Sequence, residues 1–210
     1  MSPPLDPYLE RRLQRLIDLG ERFFFLLLYA SFVSSLWRSL ASHPFNFLAL
    51  ISEGLIVFFM NIRRDARMIT IRPMDWMIAL LGTALPLLVR PGGHPFAPTL
   101  VGTCFMLTGL LFSISAKLTL RRSFGLAAAN RGVVLSGPYR IVRHPIYAGY
   151  ILIYVGFLLN NPLAWNFAIY LLTISLLIFR VMAEEILLTQ DPSYVEFKQR
   201  VHYRVMPGVF

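Results

Sequence analysis

The sequence predicts an all-α fold, a polytopic integral-membrane helical bundle of about six transmembrane helices, and three observations carry that prediction. The 210 residues are 56% hydrophobic and 14% aromatic, with a mean hydropathy of +0.60, which leaves too little polar surface to cover a soluble globule. Six apolar stretches run through the chain. The formal charge of +9 falls in short basic blocks between those stretches and not along one amphipathic face. That placement argues against nucleic acid and for anionic headgroups and topology.

The stretches are Phe23 to Trp37, Phe45 to Ile62, Met74 to Val89, Thr99 to Leu120, Ile146 to Leu159, and Leu163 to Ile186. Crossing the hydrocarbon core takes about 20 residues, so the fourth and sixth are the strongest spans. The first, third and fifth need flanking residues, local thinning or burial among neighbours. Ahead of them, Met1 to Leu19 carries Asp6, Glu10 and Asp18 among its arginines and reads as an amphipathic lead-in helix, not a cleavable signal. Basic residues precede the first span (Arg11, Arg12, Arg15, Arg22), fill the second connection (Arg63, Arg64, Arg67, Arg72), and flank or fill the fourth (Lys117, Arg121, Arg122, Arg131, Arg140, Arg143). Lys198, Arg200 and Arg204 follow the last span, whereas the first and third connections hold only Arg38 and Arg90 and the fifth holds no basic residue. By the positive-inside rule this alternation puts both termini in the cytoplasm of a multi-pass protein of the plasma (inner) membrane. The other arrangement that the lengths allow has one short segment lying flat or re-entering.

The chain reads as a single membrane domain, 1–210. Asn160-Asn161-Pro162 is a tight turn, so the last two spans form an antiparallel hairpin. The fourth connection, Ser123 to Arg143, is long, basic and broken by Gly125, Gly132, Gly137 and Pro138, and it faces the cytoplasm. Asp191-Pro192-Ser193 starts a short C-terminal helix through about His202, and this tail shares the loop's face of the membrane. Loop and tail together can close a small-molecule pocket.

Two constellations carry the chemistry. In Arg143-His144-Pro145, proline suits the first position of a helix and His144 takes the capping position. The unpaired amides, the helix dipole and Arg143 together attract a carboxylate or phosphate. Tyr147, Gly149 and Tyr150 follow, the glycine permitting close approach of a ligand or a neighbouring helix. Taken alone, these residues fit better as interfacial charges and an aromatic belt around a span end. The second constellation is Arg180, Glu184 and Glu185: Arg180 and Glu184 share a helix face, with Glu185 rotated by about 100°. A plain i,i+4 ion pair at the boundary explains it as well as a functional role does. The hairpin favours function, because it makes neighbours of the start of one span and the end of the next, so the two constellations are expected to meet.

The stretch GPYRIVRHPIYAG resembles the GPYxxxRHPxYxG signature of the isoprenylcysteine carboxyl methyltransferase and phospholipid methyltransferase group of membrane enzymes. Asn161-Pro162 and the EEILL run on the last helix are similar to further motifs of that group. The likeness covers roughly Leu120 to Pro207 and implies a methyltransferase-like core at 120–207 behind N-terminal spans at 1–119. It implies S-adenosyl-L-methionine as methyl donor, with cofactor contacts at Tyr139, Arg143, His144, Pro145, Tyr147, Gly149 and Glu184. Catalytic roles fall to Arg180, on the substrate, and Glu185. Downstream the sequence departs from the group: Asp191-Pro192-Ser193-Tyr194 replaces the usual phenylalanine-glycine pair, and Phe197 stands in place of a second tyrosine.

The chemistry agrees with that donor. A helix N-terminus with Arg143 and His144 suits its carboxylate, and acidic side chains such as Glu184 suit its ammonium and ribose hydroxyls. Methyl transfer needs alignment and exclusion of water, and no metal is expected: His43, His94, His144 and His202 are scattered, and Cys104 is the sole cysteine. No strand is followed by GxGxxG, which disfavours a soluble dinucleotide-type methyltransferase. The expected acceptor is a membrane lipid or lipidated molecule, either a prenylated carboxylate, as Arg180 suggests, or a phospholipid amine. An NADPH-dependent sterol-type reductase with a similar RHPxYxG turn, and a non-catalytic scaffold in which Glu53 is a helix contact, are the competing classes.

Overall fold

The computed structural model describes residues 7–37, 46–64, 68–70, 72–123 and 129–210. Asp6, Arg38, His43, Phe45, Arg67 and the part of the basic loop at 124–128 lie outside them. The described residues form seven α-helices: α1 (Pro7–Leu36), α2 (Asn46–Ile62), α3 (Pro73–Ala84), α4 (Thr99–Leu120), α5 (Pro145–Asn160), α6 (Ala164–Leu188) and α7 (Pro192–Arg200). Among the described residues the fold is all-α apart from one two-residue antiparallel ladder, in which β1 (Met68–Ile69) pairs Met68 with Asn130 and Ile69 with Ala129 of β2 (Ala129–Asn130).

These residues fall into two compact units, Met1–Arg63 and Arg64–Phe210. In the first, α1 runs unbroken through both the expected lead-in helix and the expected first span. No proline interrupts it after Pro7, and Gly20, its one glycine, is exposed in open space where an added Cβ would meet no neighbouring group, so the helix continues through it. Arg63, just past α2, is buried between Asp18 and Glu21 of α1, 2.8 Å from the Glu21 carboxylate, and Arg22 stands 2.8 Å from Asp18. This cluster fastens α2 to α1 where four charges neutralise one another.

In the second unit the third apolar stretch is shorter as α-helix than expected. α3 stops at Ala84 and becomes a 3₁₀ turn over Leu85–Leu88, because Pro86 has no amide to continue the ladder. Asn166, at the start of α6, is fully buried and takes its amide hydrogen bonds across to the next loop. Its Nδ2 donates to the carbonyls of Arg90 (2.8 Å) and Asn161 (2.9 Å), while its Oδ1 accepts from the Arg90 amide at 2.9 Å. The α5–α6 turn is the tight hairpin read from Asn160-Asn161-Pro162, and Asn161 also caps the Gly92 amide at 3.0 Å.

The tightest packing lies between α4 and α5. Two glycines seven residues apart on each helix, Gly102 and Gly109 against Gly149 and Gly156, bring the backbones together. A Cβ on Gly109 would lie 2.5 Å from the Gly149 carbonyl oxygen, and one on Gly149 would lie 2.6 Å from that of Gly109. Such approach between apolar helices is governed by small residues. α4 therefore belongs to the same packed core as α5, although it precedes the 119/120 boundary suggested by the resemblance. On α4 the buried face is small and polar, with Gly102, Gly109, Ser113, Ala116 and Lys117 inside and Leu100, Phe105, Leu111 and Leu118 exposed, and α6 buries Asn166, Thr173 and Glu185 together with Ile169, Tyr170, Leu177 and Val181 while exposing Leu171, Leu172, Phe179 and Ile186. Among the described residues α4 is the one helix long and apolar enough to cross a membrane, with 22 residues at mean hydropathy 1.7. Leu50–Ile62, Pro73–Leu88 and Pro145–Asn160 are shorter apolar segments.

The glycine contact has a direct consequence for stability. Gly149→Ala is expected to lower the thermal midpoint of the detergent-solubilised protein, since the new methyl meets backbone, at a cost of about 1–3 kcal/mol. Gly20→Ala, in open space on α1, is expected to leave it unchanged or slightly raised. Equal midpoints for the two variants would reject the close α4–α5 packing.

Candidate functional site

The site is built where α5 begins and α6 ends. Pro145 opens α5 as expected, and His144 holds the N-cap position, yet its side chain caps nothing. Instead the imidazole turns toward α6, with Nδ1 3.5 Å from Glu184 Oε2 and Nε2 3.5 Å from Glu185 Oε1. Arg143 approaches the same carboxylate: its Nε lies 2.7 Å from Glu185 Oε1, as an ion pair without hydrogen-bond alignment, and its Nη1 donates to the Val201 carbonyl at 3.1 Å. The two constellations read from the sequence thus meet in one buried cluster.

Glu184 faces the other way around the helix. Its Oε1 accepts from the Tyr147 hydroxyl and from Arg180 Nε at 3.2 Å, the i,i+4 pair expected on α6. The Arg180 guanidinium also lies 5.2 Å from the centre of the Tyr147 ring, and that ring stacks on His144 at 5.7 Å with an interplanar angle of 12°. Tyr147 is therefore held by an acid, a cation and an imidazole together. Tyr139 is buried in a 3₁₀ turn over Gly137–Arg140 that opens on Gly137 at φ +57°, where a Cβ would meet the Thr119 hydroxyl. Burial pushes the Tyr139 phenol well above its ordinary range, and the nearby Glu184 charge adds to that. Gly149 is turned to α4, against Gly109 and Ser113, so of its two expected uses the close approach of a neighbouring helix is the one seen.

The tail closes the other side. Asp191 caps α7, accepting from the Ser193 amide at 2.9 Å, and its second oxygen accepts from Asn130 Nδ2 of β2 at 2.8 Å. Beyond α7 the chain returns along the RHP turn: the Arg143 amide donates to Tyr203 O at 2.9 Å and the His144 amide to Arg204 O at 2.7 Å. These two amides, expected to be open to an anion, are thus occupied by tail carbonyls. Arg204 Nε donates to Glu185 Oε2 at 2.9 Å, and the Tyr194 hydroxyl donates to Oε1 of the same carboxylate at 3.5 Å. The Phe210 carbonyl oxygen gathers the amides of Arg204, Val205 and Met206, folding the tail's end back under the Arg204 guanidinium.

Every site residue named from the sequence therefore lies at the foot of α5 and α6 or in the turn beside it. Tyr150, read beside Tyr147 in the first constellation, joins them, as do three that sequence reasoning did not assign to the site: Arg204, Tyr194 and Lys117. Lys117 was visible as the one lysine inside the strongest apolar stretch, where a charge is costly unless it serves a partner. Arg204 carried no such signal, being one basic residue among several in a polar tail.

A polar, mixed-charge cluster is thus buried at one end of a set of apolar helices, where charges are costly unless they serve one another or a ligand. Residues 98–191 match the model of the phospholipid methyltransferase family. The match covers less than half of the chain and is to the group that the GPYRIVRHP stretch resembles, and a methyltransferase acting on lipid is the activity it supports. The match starts just ahead of α4 and ends at the cap of α7, so it includes the glycine-packed helix pair and Arg143, His144, Tyr147, Arg180, Glu184 and Glu185, while Tyr194 and Arg204 of the cluster lie beyond it. A search of curated proteins finds no match to the chain.

His144 makes the cluster pH-sensitive. Burial alone would lower its pKa, but hydrogen bonds and charges from Glu184 and Glu185 prevail and raise it above the ordinary 6.5. A folded-state pKa above the unfolded one contributes stability that is fully present below about 6.5 and is lost as pH rises through the raised value. The denaturation midpoint of the wild type is expected to fall over that rise, and His144→Gln is expected to remove this part of the slope. An identical pH profile in the variant would show that the imidazole carries no charge in the cluster.

Proposed function

We propose that the protein is an integral-membrane S-adenosyl-L-methionine-dependent methyltransferase, of the isoprenylcysteine carboxyl O-methyltransferase type, acting on a lipidic or lipidated acceptor at the cytosolic membrane face. The observation that carries the reading is the buried meeting of Arg143 and His144 with Glu184 and Glu185 inside a segment of the methyltransferase family. The residues fit the donor. Arg143 Nε and His144 Nε2 are buried without an aligned hydrogen-bond acceptor, which suits a ligand carboxylate. Glu184 suits an ammonium or ribose hydroxyls. Tyr139, Pro145 and Tyr147 would wall the site, and Gly149 would serve it by letting α5 lie against α4. When bound, the donor supplies an electrophilic methyl group on a sulfonium. The protein's part is to orient, to exclude water and to hold the acceptor in line.

Glu185 bears on the choice of acceptor. Its Oε2 is taken by Arg204 and its Oε1 by Arg143, with Tyr194 and His144 also close, so it is badly placed to accept a proton from an amine. A carboxylate acceptor needs no such base, being already ionised, and Arg180 beside Tyr147 would hold it. Phosphatidylethanolamine-type N-methylation is the second reading, favoured by the description of the matched family. One set of measurements tests both. Calorimetry is expected to show S-adenosylhomocysteine binding, weakened at least tenfold in His144→Ala and Glu184→Ala, each of which removes charge-assisted contacts. Labelled-donor assays are expected to show methyl transfer to a prenylated cysteine analogue, with Arg180→Lys losing turnover far more than donor affinity. Wild-type affinity in both folded alanine variants would sink the donor site, and transfer to phosphatidylethanolamine alone with Arg180→Lys fully active would replace the first reading by the second.

The same reading gives the chain six spans, with both termini and the site in the cytoplasm of a plasma (inner) membrane protein. Its support is the alternation of basic blocks and the apolar exterior of α4 and α6. In a background with Cys104 replaced by serine, His94→Cys is expected to react with a membrane-impermeant thiol reagent added outside intact cells, while His202→Cys is protected. The reverse pattern would turn the site away from the cytosolic donor.

A further inference from the structure

Lys117 is fully buried in the last turn of α4, on the face that packs against α5. One turn earlier Ser113, also fully buried, has its hydroxyl without a hydrogen-bond partner and stands against Gly149, so this face of an apolar helix carries polar groups toward α5. The Lys117 ammonium lies 5.3 Å from the centre of the Tyr150 ring. Tyr150 is 6.4 Å, centre to centre, from Tyr147, one turn earlier on the same helix. Tyr147 in turn holds Glu184 through its hydroxyl and lies beneath Arg180. A row of contacts therefore runs from a cation on α4, through two rings of α5, to an ion pair on α6. A desolvated cation over a tyrosine is among the stronger side-chain contacts in an apolar setting. Each ring, once fixed, limits the positions open to the next, because close-packed side chains have few alternative rotamers.

We propose that Lys117 is a positioning residue of the site: by fixing Tyr150, and through it Tyr147, it sets the geometry of the Glu184–Arg180 pair. The proposal about turnover rests on the methyltransferase reading above, whereas the proposal about ring geometry does not. Lys117→Met keeps the length and apolar stem of the side chain and removes only the charge, so the packing of α4 on α5 is preserved. Lys117→Arg keeps the charge, and Tyr150→Leu removes the intermediate ring.

The test uses the full chain in detergent with ¹³C at the tyrosine ring carbon that bears the hydroxyl. Lys117→Met is expected to shift the Tyr147 resonance as well as that of Tyr150. Turnover of the best acceptor is expected to fall about tenfold with little change in its KM, and Lys117→Arg is expected to recover most of the loss. The double variant Lys117→Met, Tyr150→Leu is expected to be no slower than the worse single one, as befits two residues acting in one row. A Tyr147 resonance that stays in place, or single-variant losses that multiply in the double variant, would overturn the proposal. Should Lys117→Met fail to fold, Lys117→Gln is read at the same two resonances. A wild type that neither binds S-adenosylhomocysteine nor transfers a methyl group would sink the functional reading, and the Tyr147 resonance would still decide the row.

Discussion

The structure of the second unit turns on the neutralisation of two adjacent carboxylates at the end of an apolar helix. Glu184 and Glu185 point to different sides of α6, and each gathers its own set of partners: Tyr147 and Arg180 around the first, Arg143, Tyr194 and Arg204 around the second, with His144 reaching both. A buried carboxylate is strongly unfavourable unless paired and hydrogen-bonded, so these partners are required wherever the pair is. The requirement draws four segments together: the RHP turn, the first turn of α5, α7 and the tail. In particular, Glu185 joins Arg143 to Arg204 while the tail carbonyls take the Arg143 and His144 amides, so side-chain and main-chain contacts hold the same strap.

The second constraint is the apolar exterior. With Leu, Phe and Ile on the outer surfaces of α4 and α6, the buried faces are mixed: α4 turns glycine, serine, alanine and lysine inward, whereas α6 buries Ile169, Tyr170, Leu177 and Val181 beside Asn166 and Thr173. Gly102 and Gly109 against Gly149 and Gly156 let the α4 and α5 backbones touch, and Asn166 ties the opposite end of α6 to the loop at Arg90. The glycines also decide what faces the site. With Gly149 pressed on α4, Tyr147, two residues before it, turns to Glu184 and Arg180 of α6, and Lys117 of α4 meets Tyr150, one residue after it.

Much of this arrangement was legible in the residues. The bounds of α4 coincide with the apolar stretch Thr99 to Leu120, the Asn161-Pro162 turn makes the α5–α6 hairpin, Pro145 begins a helix, and the hairpin brings the RHP turn to the Glu pair. These features rest on local rules: hydrophobic run length, the missing amide of proline, the spacing of a helical face. What was not legible depends on contacts far apart in sequence. His144 was expected to cap, yet the nearest strong acceptors for its ring are forty residues on, and they outcompete the helix end. The amides of Arg143 and His144 were expected to be open, but their partners lie about sixty residues downstream in a segment with no regular pattern. The two-residue ladder of β1 and β2 is too short to leave an alternation, and α1 hides its junction because nothing at Gly20 forces a break.

The charges of the cluster bear on the acceptor more strongly than any one residue does. Arg143, Arg180 and the partly exposed Arg204 face two carboxylates, so the cluster as a whole carries a positive excess even before His144 is protonated. The proposed donor has a sulfonium, and its ammonium cancels only its own carboxylate, so bringing it in adds positive charge. In a partly desolvated site like charges are screened poorly. A protonated amine entering beside the donor would raise that excess again and would first have to lose a proton to a base, and the carboxylate nearest to hand is already held by two guanidiniums. A carboxylate acceptor lowers the excess, is nucleophilic as it arrives, and becomes neutral on methylation, which weakens its hold on the arginine that bound it. Affinity for the substrate and release of the product then follow from the same electrostatic imbalance, and the excess cation in the cluster becomes the feature that distinguishes the two readings.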